Sequence, residues 1–322
     1  MSGHPVGRLA PSPTGAQHVG NARTFLLAWL SIRRRDGRLL LRIEDLDSPR
    51  TKRGAAAQAL DDLRWLGLDW DAGPDRPGVE GPFVQTERSE DYRRALDELA
   101  AAERIYPCTC SRTDIADAAS APHWEHEGPR YPGTCAGRSA SDARALEPGT
   151  FAWRFRTLPG EWSYRDRNDE WRSCRVADEL GDFVVAKKDG TAAYQLAVVR
   201  DDHAMGVTEV VRGDDLLAST FRQLQLYRSF GWEPPTFRHV PLVVGDDGKR
   251  LAKRHGDTRL ATYRELGVAP ERLIGLLAWS LGLIDEERAI TPRELLDRFD
   301  WQRVRATGPW VFGAEEHRRL VG

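Results

Sequence analysis

Lysine is nearly absent from this chain: of 47 basic residues only Lys52, Lys187, Lys188, Lys249 and Lys253 are lysines. A general bias towards arginine accounts for the imbalance but not for Lys249 and Lys253 falling in one short span, which points to a need for ammonium chemistry there. Cysteine is scarce too. Four in 322 residues do not build a disulfide framework, and Cys108 and Cys110, separated by one residue, suit a metal better than a bridge. Cys174 stands apart from the other three. No run approaches the roughly 18 to 20 apolar residues that a membrane helix needs, and Met1 to Leu9 lacks the apolar centre of a signal peptide. These absences predict a cytoplasmic protein with no membrane contact. Excess positive charge is missing as well. A net charge of −2 excludes a globally basic nucleic-acid binder, while a local basic face such as Arg33-Arg34-Arg35 remains able to touch phosphates. At 40% hydrophobic and 30% charged residues, the chain has room for one large domain with an insertion, or for two domains.

The pattern along the chain predicts an α/β fold. Val6 to Ala10 reads as a strand, Pro11 to Gly15 as a loop, Asn21 to Arg35 as a helix carrying Phe25, Leu26, Trp29, Leu30 and Ile32, and Leu39 to Ile43 as a buried strand. This order opens a parallel nucleotide-binding sheet. Thr51 is suited to cap a further helix that runs to Leu66 and stops at Gly67. From Tyr106 to Arg175 the chain turns Pro/Gly-rich and cysteine-bearing, with strands at Phe151 to Arg156 and Glu161 to Arg165, as an insertion would. A hairpin around Asp189-Gly190, a strand over Ala193 to Val199 and a helix over Leu216 to Phe230 follow. From Thr262 onward the pattern is helical, including Pro270 to Leu283 and Thr291 to Arg298. The resulting divisions are residues 1–105, 106–175, 176–247 and 248–322.

Two segments carry chemistry. Ala10-Pro11-Ser12-Pro13-Thr14-Gly15-Ala16-Gln17-His18-Val19-Gly20-Asn21 joins the first strand to the first helix. A helix N-terminus offers unpaired N–H groups and the positive end of a dipole, Gly20 permits close approach, and the His18 imidazole can donate to a phosphate as charge builds. The string resembles the HIGH signature of class I aminoacyl-tRNA synthetases, and its PSPTG extension is similar to the glutamyl and glutaminyl branch. Asn21 stands where that signature ends in histidine. The second segment, Asp247 to Asp257, resembles the KMSKS loop, with Arg250-Leu251-Ala252-Lys253-Arg254 in the motif places. Arg250 replaces the first lysine and Ala252 the serine, and Lys253 holds the position that stabilises charge on leaving pyrophosphate.

What the resemblance implies is a Rossmann-like class I catalytic domain with a zinc-bearing insertion, a short helical C-terminal region and no anticodon-binding domain. By the same resemblance Pro11, Thr14, Gly15, His18, Gly20, Asn21, Arg250 and Lys253 bind ATP, brought with Mg2+, and His18 and Lys253 are catalytic. Glutamate is held by Arg8, Ala10, Ser12, Glu44, Tyr194 and Arg212. A guanidinium grips a carboxylate bidentately, which favours glutamate over glutamine. Val198 departs from the asparagine of full-length glutamyl-tRNA synthetases. Cys108, Cys110, Tyr131 and Cys135 are three thiols and a phenol that suit a tetrahedral metal, with reduced core thiols, or His123 or His126 as fourth ligand, as alternatives. A Cys-x-Cys…Tyr-x3-Cys zinc site resembles that of short glutamyl-tRNA-synthetase paralogues and implies one structural zinc per chain.

After the lysine loop the chain continues from Asp257 only to Gly322, a truncated layout similar to the glutamyl-queuosine tRNA(Asp) synthetase family. That family implies a monomer that activates L-glutamate without tRNA and passes it to queuosine in the anticodon of tRNA(Asp). A glutamyl-tRNA synthetase acting at the 3′ end, a retired RNA-binding paralogue, and a nucleotidyltransferase of the same fold are the competing expectations.

Overall fold

The computed structural model describes residues 3–13, 16–46, 53–76, 78–118, 130–249, 251, 257–305 and 308–322. In chain order its elements are β1 (Val6–Leu9), α1 (Val19–Arg33), β2 (Arg38–Leu41), α2 (Ala55–Trp65), α3 (Ser89–Ala101), β3 (Ile105–Cys108), α4 (Arg112–Ala118), β4 (Ala152–Phe155), β5 (Trp162–Arg165), β6 (Trp171–Cys174), α5 (Val176–Glu179) and β7 (Phe183–Ala186). They continue with α6 (Tyr194–Ala204), β8 (Glu209–Gly213), α7 (Leu217–Phe230), β9 (Thr236–Val240), β10 (Val243–Val244), α8 (Leu260–Glu265), α9 (Pro270–Ser280), α10 (Pro292–Leu295), β11 (Trp310–Val311) and α11 (Ala314–Val321). They form two compact units, one made of Met1–Val84, Val207–Asp214 and Arg238–Gly322, the other of Gln85–Gly206 and Asp215–Phe237. No helix among the described residues is long and apolar enough to cross a membrane.

The first unit is built on the expected β-loop-α-β crossover. β1 and β2 pair in parallel from Val6 opposite Arg38 to Leu9 opposite Leu41, and parallel bridges from Leu40 to Ala72 and Ile43 to Val84 extend the pattern. Val6 also accepts from Thr208 N at 2.8 Å, which brings β8 alongside β1. α1 buries Val19, Ala22, Phe25, Leu26, Leu27, Trp29, Leu30 and Ile32, a helix sunk into the core on most of its circumference. It lies so close to β1 that a Cβ at Gly7 would sit 2.4 Å from Ile32 Cγ1. The start expected at Asn21 moves back to Val19, because His18 caps the helix. α2 begins at Ala55 with Gly54 as an αL cap, φ 81°, and Thr51 lies outside the described residues.

One part of the helical tail is corrected. Trp310–Val311 is a strand, paired in parallel with Val243–Val244. Two residues are too few to show a period of two, so nothing in the sequence sets them apart from helix.

In the second unit β3, β4 and β7 form an antiparallel sheet, and β5 pairs with β6 as a ribbon from Trp162 opposite Cys174 to Arg165 opposite Trp171. The turn at Asp189-Gly190 reverses the chain as expected, with Lys187 N donating to Thr191 O at 2.8 Å and Gly190 at φ 82°. The strand expected over Ala193 to Val199 is instead the start of α6. α6 buries Leu196, Ala197, Val198 and Val199 together with Asp201 and Asp202. A helix enclosed on most sides shows no polar face, so its apolar run imitates a buried strand. Asp201 is fully buried because it is paid for by ligands: Arg88 Nε at 2.6 Å, Gln85 Nε2 at 2.8 Å and the Tyr92 hydroxyl at 2.9 Å all donate to its carboxylate.

Candidate active site and metal centre

His18 is the N-cap of α1. Its Nδ1 accepts from Gly20 N at 3.1 Å, and its own N–H donates to Asn21 Oδ1 at 3.2 Å. The two bonds form a capping box, with histidine and asparagine in the roles usually taken by Ser/Thr and Glu/Gln. An accepting Nδ1 places the imidazole proton on Nε2, so the ring is neutral and its donor points away from the helix backbone. Asn21, the departure from the HIGH string, thus fixes the histidine through its Oδ1. Gly20 is required by the same contact: a Cβ there would lie 3.0 Å from His18 Cε1.

The two signature segments meet through main-chain bonds. Val19 N donates to Thr258 O at 3.1 Å and Leu260 N to Gln17 O at 2.9 Å, an antiparallel bridge between His18 and Arg259. On the other side of the lysine loop, Leu251 is buried and donates to Val243 O at 3.3 Å. Arg250, Ala252 and Lys253, like Thr14 and Gly15 of the first segment, lie outside the described residues. The described neighbours on both sides lie at the mouth of α1, Thr258 and Leu260 through these bonds and Val243 with its Cβ 3.4 Å from a Cβ placed at Gly20.

Five of the residues expected to hold glutamate lie on β1 and β8, in the loop after β1 and just past the end of β2. Arg8 is buried on β1 and donates through Nη1 to Val211 O at 3.3 Å. Arg212 is buried on β8 and donates through Nε to His239 Nε2 at 3.2 Å. His239 was not legible beforehand, since nothing in Phe237-Arg238-His239-Val240 marks it. Glu44 donates its N–H to Pro11 O at 3.1 Å, which holds the Pro11 loop against the end of β2, and its carboxylate accepts from the wholly buried Arg42 at 2.9 Å. Ala10 is half-buried, Pro11 buried and Ser12 exposed in this loop. Tyr194, half-buried, opens α6 in the second unit. Val198 is a core residue of α6.

The second unit gathers the other expected cluster. The sulfurs of Cys108, Cys110 and Cys135 all lie within 4.8 Å of one another, with Cys110 and Cys135 3.7 Å apart. The Tyr131 hydroxyl is 3.5 Å from Cys108 Sγ and 4.0 Å from Cys110 Sγ. Around a tetrahedral ion with metal–sulfur bonds of ~2.3 Å, sulfurs sit ~3.8 Å apart, so this donor set fits a metal. Burial opposes ionisation of Cys135, but the Thr109 N–H and the Tyr131 hydroxyl bring its thiol down to about 7. Arg154 braces the group from outside, donating through Nε to Cys108 Sγ at 3.3 Å while its guanidinium lies 3.8 Å from the Tyr131 ring centre. Cys174 is a different case. Burial pushes its thiol up to about 12, as expected of a core thiol outside the cluster. His123 and His126 lie outside the described residues.

The family model for the catalytic domain of class I tRNA synthetases (E and Q) matches residues 6–316. The chain belongs to the class I tRNA synthetases of the E and Q branch. As a class I synthetase it is a ligase-type enzyme, and its α/β fold is the catalytic-domain fold of that family. It is 51% identical to the glutamyl-Q tRNA(Asp) synthetase of Rhodopirellula baltica, over 94% of this chain and 95% of that one. With the glutamyl-Q tRNA(Asp) synthetase of Symbiobacterium thermophilum it shares 50% identity, over 92% and 93% of the two chains. The crystal structure of a glutamate-tRNA synthetase from Elizabethkingia anophelis superposes with a TM-score of 0.83 at 28% identity, covering 99% of this chain and 70% of that one.

Proposed function

We propose that this synthetase activates L-glutamate with ATP, without bound tRNA, and esterifies it to queuosine at the wobble position of tRNA(Asp). The observation that carries this reading is the match to two relatives named glutamyl-Q tRNA(Asp) synthetase over 95% and 93% of their own lengths. The geometry of the first unit supports the chemistry. ATP, brought with Mg2+, docks at the N-terminus of α1 over Pro11, Thr14, Gly15, Gly20 and Asn21. His18 Nε2–H then donates to the α-phosphate as charge builds on the pentacovalent transition state, and Lys253, aided by Arg250, meets the charge moving onto pyrophosphate. Glutamate enters with its side-chain carboxylate on Arg212, whose guanidinium plane His239 fixes, and its α-ammonium on Glu44. Arg8, Ala10 and Ser12 line the same strand and loop, and Tyr194 keeps the side-chain contact that the family resemblance gives it.

Zinc is the metal this reading assigns to Cys108, Cys110, Tyr131 and Cys135. Four protein donors close a tetrahedral site, so the ion would hold the fold of the second unit and activate no water. Queuosine carries a cyclopentenediol, and its hydroxyl attacks the carbonyl of glutamyl-adenylate as a ribose hydroxyl does, losing its proton as the acyl–phosphate bond breaks and AMP leaves, so no further catalytic group is needed.

Transfer of labelled glutamate to tRNA from cells with and without queuosine tests the reading. Charging is expected only with queuosine, and it should survive periodate destruction of the 3′-terminal diol when the queuosine diol is retained. Equal charging of both tRNAs, or loss of charging with the 3′ diol alone, would assign the enzyme to the 3′ end.

A further inference from the structure

The C-terminal end of α1 borders a cavity of its own. A helix of 15 residues at ~1.5 Å per residue separates His18 from its C-terminus by about 22 Å. At that far end lies a cavity of about 540 Å3 whose lining includes Arg34, Arg35, Arg298 and Arg303 against Asp297 and Asp300. Part of it is rigidly built. Glu209, 3% exposed, accepts from Arg35 at 2.7 Å and from Arg238 at 3.1 Å. Trp301, also in the lining, donates through Nε1 to Ser31 Oγ at 2.9 Å and carries the Arg238 guanidinium 5.0 Å from its ring centre. Phe299 stands edge-on to it, 5.4 Å between centroids. The cavity therefore has an aromatic floor held at both edge and face.

The remaining arginines are loosely engaged. Arg34 is 4.0 Å from Asp297, itself 98% exposed, and Arg303 is 3.6 Å from Asp285, 95% exposed. Exposed pairs of this kind contribute at most about 1 kcal/mol. Arg298 makes no ion pair among the described residues. The favourable placing of cations at a helix C-terminus explains Arg33, Arg34 and Arg35. It does not explain why Arg298 and Arg303, from a distant part of the chain, converge on the same hollow.

We propose that this cavity is a phosphate site for RNA, with Arg34, Arg298 and Arg303 on the backbone of the tRNA substrate and the Trp301 ring, backed by the buried Phe299, against its sugar or base. The proposal rests on the proposed function only in taking tRNA as substrate. Guanidinium forks suit phosphate oxygens, and an aromatic floor tolerates any sequence.

The test uses the full chain and tRNA lacking queuosine, so failure of the wobble assignment leaves it intact. Arg34→Glu combined with Arg298→Glu should weaken tRNA binding about ten- to a hundredfold at low salt. It should also flatten the slope of log affinity against log salt by about 1 to 2. Glutamate-dependent pyrophosphate exchange, which needs no tRNA, should stay at the wild-type rate. Arg298→Gln alone, at an exposed position, should flatten the slope by roughly 0.7 to 0.9, which guards against a misfolded double variant. Unchanged affinity and slope in both variants would overturn the proposal. So would calorimetric binding of inorganic phosphate or AMP that is lost in the double variant while tRNA binding persists, because the site would then serve a free phosphate.

Discussion

The two units position their chemistry by different means. In the first, His18 is set by bonds to the main chain of α1, and the described residues on either side of the lysine loop by main-chain bonds: the helix cap, a bridge from Gln17 and Val19 to Thr258 and Leu260, and the bond from Leu251 to Val243. In the second, side chains are the scaffold. Tyr131 accepts from Cys135 N at 2.7 Å, Asp182 accepts from the Tyr106 hydroxyl at 2.6 Å and the Thr157 hydroxyl at 2.7 Å, and Asp201 gathers three donor residues. A group set by the backbone can be exchanged with loss of chemistry alone. Where the side chain is the scaffold, exchanging it costs the local fold.

The largest effect expected is therefore on rate and not on stability. His18→Ser keeps a good N-cap for α1 but removes the Nε2 donor. Glutamate-dependent pyrophosphate exchange should fall about 10²- to 10³-fold, roughly 2.7 to 4 kcal/mol, with an unchanged melting temperature. A melting temperature that dropped along with the rate would erase the contrast between the units.

Tyr131→Phe should do the reverse. It removes one proposed metal donor and leaves the buried Cys135 N–H without its acceptor, a cost of about 1 to 3 kcal/mol. Zinc affinity, read by competition with a chelator, should fall at least tenfold, and the melting temperature should drop, while ATP binding measured by calorimetry persists. A variant that kept its zinc at wild-type affinity would reassign the fourth ligand.

What the sequence made legible follows the same division. The β1-loop-α1-β2 order could be read because each element shows its own period and the loop its Pro/Gly punctuation, and Cys108-Thr109-Cys110 because thiol spacing is short-range. The capping role of Asn21 was hidden, since it depends on which atom of an amide faces which N–H. His239 was hidden because it reaches Arg212 from a neighbouring strand. α6 was misread where a helix buried around most of its surface, acids included, loses the stripe that identifies it.

Asp62, in the first unit, gives the sharpest contrast to the well-satisfied acids of the second. It is fully buried on α2, neither carboxylate oxygen has a hydrogen-bond partner among the described residues, and Arg264 forms an ion pair with it at 3.7 Å. Burial, only partly offset by Arg264, pushes its pKa up from 3.8 to about 6. Between those values the folded chain holds more proton on Asp62 than the unfolded chain does. Stability must then decline as pH rises through that window, and the whole deficit is present above it. Asp62→Asn removes the ionisation and keeps the shape. It should stabilise the protein by about 1 to 2 kcal/mol at pH 7.5, the loss of the Arg264 attraction offsetting part of the gain. Below about pH 3, where Asp62 is largely protonated in both states, the gain should vanish. Denaturant melts of the two proteins at the two pH values decide it: an equal gain at both, or a loss at pH 7.5, would mean that Arg264 satisfies the carboxylate after all.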